Sequence, residues 1–456
     1  MMKTRAVRAA ALATTLSLVL AGCGRDDDEA ANDSPTTVAD GESGGENTES
    51  AGFIDPATDC AADYNATQGI NGDTITIGNV RPETGNYSIY GTVAKGLEAF
   101  VQHANSQGGI TAGDGKQYKL QLETADDAYD PALTPGVVQT LVEQKGIFAM
   151  VGQIGTATNL AVRQYMNDNC VPSVALATGA RDWGEAAKYP WYIGGLPPYA
   201  TEAVAFIDYL KTEKPDATIA LLYQDDDYGK TYQQAIAQAI EGTDITVVSE
   251  KPYNPLNETS PESKVAELAT SNADVFFVGL GGTPCPVSLT KVPDTWTPMT
   301  FVSVTCSAKT AMSLLGDKEA SMNVFAAQPA LDPANPEHQA DPAMQEVFAA
   351  GRAIGLDEAT LEGGIFAVGW NFGALFARGL ENAETVTRHD VMNALWSLED
   401  EEIGIALPGA VANTNGAEDP WPFEDMRIVH RVDGLWTPVT EVISYDGKGN
   451  EFGGIG

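Results

Sequence analysis

At 456 residues, 43% of them hydrophobic, the chain is long enough to fill two compact cores rather than one. Its formal charge of −37, from 63 acidic against 26 basic residues, sets the surface against nucleic acid and anionic lipid as partners. Eleven of those acidic and four of those basic residues precede residue 60, so the remainder alone carries −30.

The start of the chain reads as an export signal. Lys3, Arg5 and Arg8 are followed by an apolar or small run over 9–21, the length of a signal-peptide core and too short to span a bilayer. Leu20-Ala21-Gly22-Cys23 resembles the bacterial lipobox, which implies cleavage after residue 22 and acylation of the Cys23 sulfur as a membrane anchor. Residues 23–59 then read as a disordered acidic linker. Residues 24–59 hold eleven acids, no lysine and few large apolar side chains to offset the entropy of ordering. Thirty-six such residues reach about 30–35 Å. No later apolar run of 18 residues predicts a membrane-spanning helix.

From residue 73 strands and helices alternate. DTITIGNV (73–80) has strand periodicity, and Val93, Leu97, Phe100 and Ala104 recur at helical spacing until Gly108-Gly109. Strand 118–127, helix 131–146, strand 147–153, helix 158–168 and strand 171–180 follow. The pattern restarts with helix 199–213, strand TIALLYQ, helix 228–242, strand DITVVSE, helix 260–270, and strands ADVFFVGL and MTFVSVTC. Strands separated by helices of this length predict right-handed βαβ units, and two successive sets predict two α/β lobes, each a parallel sheet flanked by helices. Helical stretches over 336–353, 362–382 and 388–398 precede a hairpin, MRIVHRVDGLWTPV, that turns at Asp433-Gly434.

Ligands of open parallel sheets bind at the carboxyl ends of the strands. Here those ends are rich in glycine and hydroxyl residues: RPETGNYSIYG, GQIGTATNL, ATGARDWG, QDDDYGK and GLGGTPC. Glycines admit close backbone approach, and each following helix start offers unpaired N–H groups to an anion. The opening ITIGNVRPETGNYSIYGTVAKGLEAFVQHANSQGGI, with ETADDAYDP, VGQIGTATN, VPSVALATGA, LLYQDDDYGK and ADVFFVGL in order, resembles the type I solute-binding proteins of ABC importers, the leucine/isoleucine/valine-binding kind, over about 72–440. TGARDW and YPWYIG resemble most a branch that takes varied small solutes.

The resemblance implies two lobes joined by three crossovers that close on a ligand. Lobe one would be 72–197 plus 330–415, and lobe two 198–329 plus 416–456. It implies an aromatic contact from Tyr90, with Tyr87 nearby. The carboxylate-binding position falls on Thr156, with Gln153 in the same loop. A small-residue loop would come from Ala177, Thr178 and Gly179, a lobe-two tyrosine from Tyr228, and a backbone contact from Leu280 or Gly281. The family glutamate that neutralises a ligand ammonium is replaced at Thr305 or Cys306. Asp226 or Asp227 reads either as a substitute from the neighbouring loop or as part of a solvated cap. A small carboxylate, an aromatic acid or an amide therefore fits as well as an amino acid. Arg181, beside the small-residue loop, reads as an added charge or a surface residue. The implied partners are a small-molecule ligand and permease subunits of an ABC importer, with the chain monomeric and membrane-attached outside the cell. A sensor subunit of the same fold is the alternative.

Four cysteines besides Cys23 permit three disulfide pairings. The strand order favours Cys285 with Cys306, at neighbouring strand ends, and Cys60 with Cys170 by elimination; four free thiols, with Cys306 in the cleft, is the alternative. An enzyme would need a nucleophile and a base. The four histidines, His103, His338, His389 and His430, adjoin no G-x-S-x-G elbow, and no H-x-x-x-H, C-x-x-C or P-loop occurs. Aspartates 26–28 and 225–227 lack the order of a calcium loop. Neither catalytic residues nor a metal or cofactor is expected.

Overall fold

The computed structural model describes residues 53–452. The signal-peptide stretch, Cys23 and most of the acidic linker lie outside the described residues. The last linker residues are folded, which corrects the expectation of disorder through 59. Ile54 is buried and its N–H donates to Asn393 Oδ1 at 2.7 Å, and Asp55 caps a single helical turn, Pro56–Asp59.

Two sheets organise the chain. The first contains β1 (Ile70–Asn71), β2 (Thr74–Arg81), β3 (Ile110–Thr111), β4 (Gln117–Asp126), β5 (Ala149–Val151), β6 (Ser173–Leu176) and β7 (Tyr192–Gly194), in the order β3-β4-β2-β5-β6-β7 with β1 on β2. The second contains β8 (Thr218–Gln224), β9 (Thr246–Tyr253), β10 (Val275–Gly279), β11 (Met299–Val302), β12 (Asn323–Gln328), β13 (Asp425–Val432), β14 (Leu435–Pro438) and β15 (Ile443–Ser444). Its order is β14-β13-β12-β11-β10-β8-β9, with β15 on β13. β2, β4, β5, β6 and β7 run parallel, as do β8 to β12. The fold is two-lobed α/β. β5, β6 and β10 are buried along their whole length, as strands covered by helices on both faces must be. Edge strand β9 alternates instead.

The chain passes three times between the sheets: after β7 through 195–198, after β12 through 329–335, and before β13 through the irregular segment 396–424. Between the second and third passages the helix Ile365–Asn382 packs on the first lobe, against helix Gly91–Ser106 and β6. The hairpin turns through Asp433 and Gly434, both at positive φ (50° and 78°), the conformation a two-residue turn of this hand requires.

Three expectations are corrected. Helix 131–146 is a short α-helix, Thr134–Gln139, that widens into a π-helical turn, Thr140–Gln144, where consecutive Leu141 and Val142 are both buried. The strand expected through Cys306 stops at Val302, because the next residues bond to side chains rather than to the ladder. β7 and β12 were not foreseen: β7 has three residues, and the alanines of β12 blur its period. Cys60 is bonded to Cys170 and Cys285 to Cys306, with Cα separations of 5.9 and 6.2 Å. Among the described residues no helix is long and apolar enough to cross a membrane.

Candidate functional site

The carboxyl ends of the central strands of both sheets face a cavity of about 700 Å³ including its mouth. From the first sheet come the segment after β2 (Tyr87, Tyr90), the turn after β4 (Tyr129), the loop after β5 (Ile154, Gly155, Thr156) and Ala177 after β6. From the second come Gln224 and Tyr228 after β8, Gly281 after β10, and Val304 and Thr305 after β11. Leu196 belongs to the first crossover, and Tyr199 opens the helix that follows it. Among the described residues no Asp, Glu, Lys or Arg side chain lines the cavity.

Local sequence fixes the first wall. Gly155 sits at φ 100°, and a Cβ there would lie 2.4 Å from the Tyr129 ring. Only glycine therefore delivers Thr156 as the first residue of helix Thr156–Asp168, where unpaired N–H groups and the helix dipole favour an anion. Thr156 Oγ1 lies 2.6 Å from Thr178 Oγ1, which also accepts from Trp183 Nε1 at 3.2 Å. Ala128 and Tyr129 both take left-handed φ (52° and 59°), held by the Asp126 and Asp127 carboxylates accepting their N–H groups. This turn stacks Tyr129 on Tyr87 at 3.9 Å between centroids.

The second wall is a hydroxyl network. Tyr228 Oη is 2.8 Å from both Ser303 Oγ and Thr305 Oγ1, and the Tyr228 ring meets Tyr199 edge-on at 5.0 Å. Beneath it lies Glu202, fully buried. Its Oε2 accepts from Val304 N at 2.9 Å, and its Oε1 is 3.2 Å from Tyr232 Oη. Desolvation pushes the Glu202 carboxyl up to about 8, against those hydrogen bonds. Burial likewise raises Tyr87, Tyr129 and Tyr228 well above the usual phenol range, so these hydroxyls stay protonated.

The two walls touch. Tyr87 Oη donates to Gln224 Oε1 at 2.6 Å. Tyr90 Oη donates to the Thr305 carbonyl at 2.8 Å and accepts from Gly282 N at 2.6 Å, and Thr283 N donates to the Asn86 carbonyl at 3.0 Å.

The sequence profile described as "Periplasmic binding protein" matches residues 74–433. The chain belongs to the periplasmic binding protein family. A curated relative, "Leu/Ile/Val-binding protein homolog 3" of Brucella melitensis, is 29% identical over 207 residues, 45% of this periplasmic binding protein, and the match spans about half (54%) of the relative. Among solved structures, a branched-chain amino acid ABC transporter protein from Thermus thermophilus with bound valine superimposes with a TM-score of 0.72 at 16% identity, over 84% of this chain and 99% of that one. A solute-binding protein from R. palustris in complex with 4-hydroxybenzoate gives 0.67 at 16%, over 83% and 98%.

In this binding protein the structure brings Tyr87, Tyr90, Thr156, Ala177, Tyr228 and Thr305 to one cavity. The other four expected residues do not line it. Gln153 is buried with its carbonyl taken by Ala177 N and Asn159 Nδ2. Thr178 stands behind Thr156, and Gly179 behind Tyr199, whose N–H it accepts. Leu280 turns into the second lobe's core while Gly281 faces the cleft. Asp226 caps helix Asp227–Ala239 and receives Gln224 Nε2 at 2.6 Å, and Arg181 is hydrogen-bonded to Gln234. The unforeseen residues are Tyr129, Tyr199 and Gln224. Tyr129 lies in ETADDAYDP, where consecutive aspartates are turn-forming residues, and Gln224 opens QDDDYGK. Cys306 is oxidised and buried rather than in the cleft. Among the described residues one carboxylate trio, Asp419, Glu424 and Asp446, lies close enough to share a cation, and none of it lines the cleft.

Proposed function

We propose that this protein captures a small carboxylate with a flat, apolar body, such as an aromatic acid, between its lobes and delivers it to an ABC importer. The supporting observation is the chemistry of the cleft: five tyrosines, a helix N-terminus at Thr156 and, among the described residues, no charged side chain. The helix start suits a carboxylate, and tyrosine faces suit a ring. An ammonium would find no carboxylate there, and burying it unpaired is costly. A zwitterionic amino acid is thus the poorer ligand. Tyr87, Tyr90, Thr156, Ala177, Tyr228 and Thr305 would contact the ligand, with Tyr129, Tyr199 and Gln224.

On this reading the lobes are 72–197 with 330–415 and 198–329 with 416–456, hinged at the three passages. Cleavage before Cys23 and its acylation would hold the receptor, as a monomer, at the outer face of the cell membrane beside its permease. The deciding experiment is a thermal-shift panel on the purified protein. 4-Hydroxybenzoate and related aromatic acids should raise the midpoint more than valine or leucine at equal concentration, and a larger rise with the amino acids would reverse the assignment. Cys23→Ser should move the protein out of the detergent phase; unchanged partitioning would remove the anchor.

A further inference from the structure

Behind the cleft lies a second and larger cavity, about 1080 Å³ including its mouth. All three passages between the lobes contribute to it: Leu196 and Pro197 from the first, Pro329 to Pro333 from the second, Ala410 to Ala412 from the third. Its walls are mostly apolar, and it shares Leu196, Val304, Ala308 and Val368 with the cleft.

Its charges set it apart. Among the described residues three carboxylates line it, Asp332, Glu401 and Asp425, and no lysine or arginine does. Glu401 is already bound by Arg378 and Asn382. The other two are half-satisfied. Asp332 Oδ1 accepts from Ala334 N at 2.9 Å and Asp425 Oδ2 from Val411 N at 3.3 Å, while Asp332 Oδ2 and Asp425 Oδ1 are buried with no protein hydrogen-bond partner. The other polar lining groups Gln328 and Asn371 have their carbonyl oxygens engaged by Arg427 Nε and Ile405 N. Burial holds Asp332 above the ordinary carboxylate range, against the opposing charges of His338, Arg431 and Lys309. Two acceptor oxygens left unpaired beside apolar walls call for a donor that is itself cationic and carries a hydrocarbon body.

We infer that this hinge cavity is a second binding site, for a small apolar organic ammonium, held by Asp332 and Asp425 with its hydrocarbon part on the proline and alanine walls. It is chemically the converse of the cleft, where an ammonium finds no acid.

The test uses the full chain and n-hexylammonium as the probe, with n-hexanol and hexanoate as length-matched controls, read by calorimetric titration. Hexylammonium should bind and the controls should not. Asp332→Asn and Asp425→Asn should each weaken it about tenfold or more, the scale of one charge-assisted hydrogen bond. Ala406 also lines the cavity; Ala406→Leu, which narrows it while leaving every carboxylate in place, should weaken binding about tenfold and decides the matter if an aspartate variant fails to fold. Absence of hexylammonium binding, equal binding of hexanol or hexanoate, or native affinity in all three variants would each overturn the site. Because no aromatic acid enters the experiment, its failure is separate from failure of the cleft reading.

Discussion

The two walls of the cleft are held by different means. The first-lobe wall is fixed by backbone conformation: Gly155 at φ 100°, and Ala128 and Tyr129 in the left-handed region under two aspartate caps. The second-lobe wall is fixed by side chains and a covalent staple. Ser303 and Thr305 hang on Tyr228, Val304 hangs on buried Glu202, and the Cys285–Cys306 bond ties the segment after β10 to the one after β11. One wall is therefore sensitive to steric change at a few positions, and the other to loss of partners or to deprotonation of Glu202.

The sharpest way to break this comparison is Gly155→Ala. A left-handed φ and a Cβ 2.4 Å from a buried ring should together cost about 3–5 kcal/mol of stability, measured by urea unfolding. A loss under about 1 kcal/mol would mean that this wall yields, and the contrast would fall. For the opposite wall, Cys285→Ala with Cys306→Ala should cost about 3 kcal/mol on the chain-entropy account of a 21-residue separation. Peptide mapping without reductant should first recover the Cys285–Cys306 link; a Cys60–Cys285 link would refute the arrangement.

Glu202 sharpens the comparison through pH. Its folded value of about 8 lies above the unfolded 4.5, so its contribution is complete below pH 4.5 and lost as pH rises through 8. Glu202→Gln keeps an acceptor for Val304 N and cannot ionise. Relative to the native protein it should gain on the order of 4 kcal/mol between pH 5 and pH 9 in paired urea melts. A difference independent of pH would show that Glu202 holds no extra proton. The smallest effect is expected from Thr156→Val, which should weaken the ligand identified by the thermal-shift panel by roughly 1–3 kcal/mol while leaving the fold intact. Native affinity in that variant would take Thr156 out of the site.

Most of the fold was legible because its elements are long and periodic. Helix 199–213 and strand 218–224 fall where their spacing placed them, and Asp433-Gly434 turns the hairpin. The lost elements are those whose signal is local and weak, such as three-residue β7. The site was half legible. Thr156 and Tyr228 sit at strand-to-helix junctions, whose position follows from the alternation itself. Tyr129 and Tyr199 reach the cleft only through a left-handed turn and a crossover, conformations set by packing partners distant in the chain. Glu202 was invisible for a related reason: a glutamate in a first helical turn reads as a dipole partner facing solvent, and only the docking of the Val304 loop buries it.

The Cys60–Cys170 bond has a mechanical meaning. Cys170 sits between helix Thr156–Asp168 and β6, and just upstream Phe53 packs on Trp396 while Ile54 is hydrogen-bonded to Asn393. A pull on the chain before residue 60 is thus delivered to the first lobe through a covalent rivet and through Asn393, and to the start of the third passage through Trp396. On the proposed reading the first lobe is the fixed jamb and the second the door. An anchor at Cys23 would then stay in place while the cleft opens and closes.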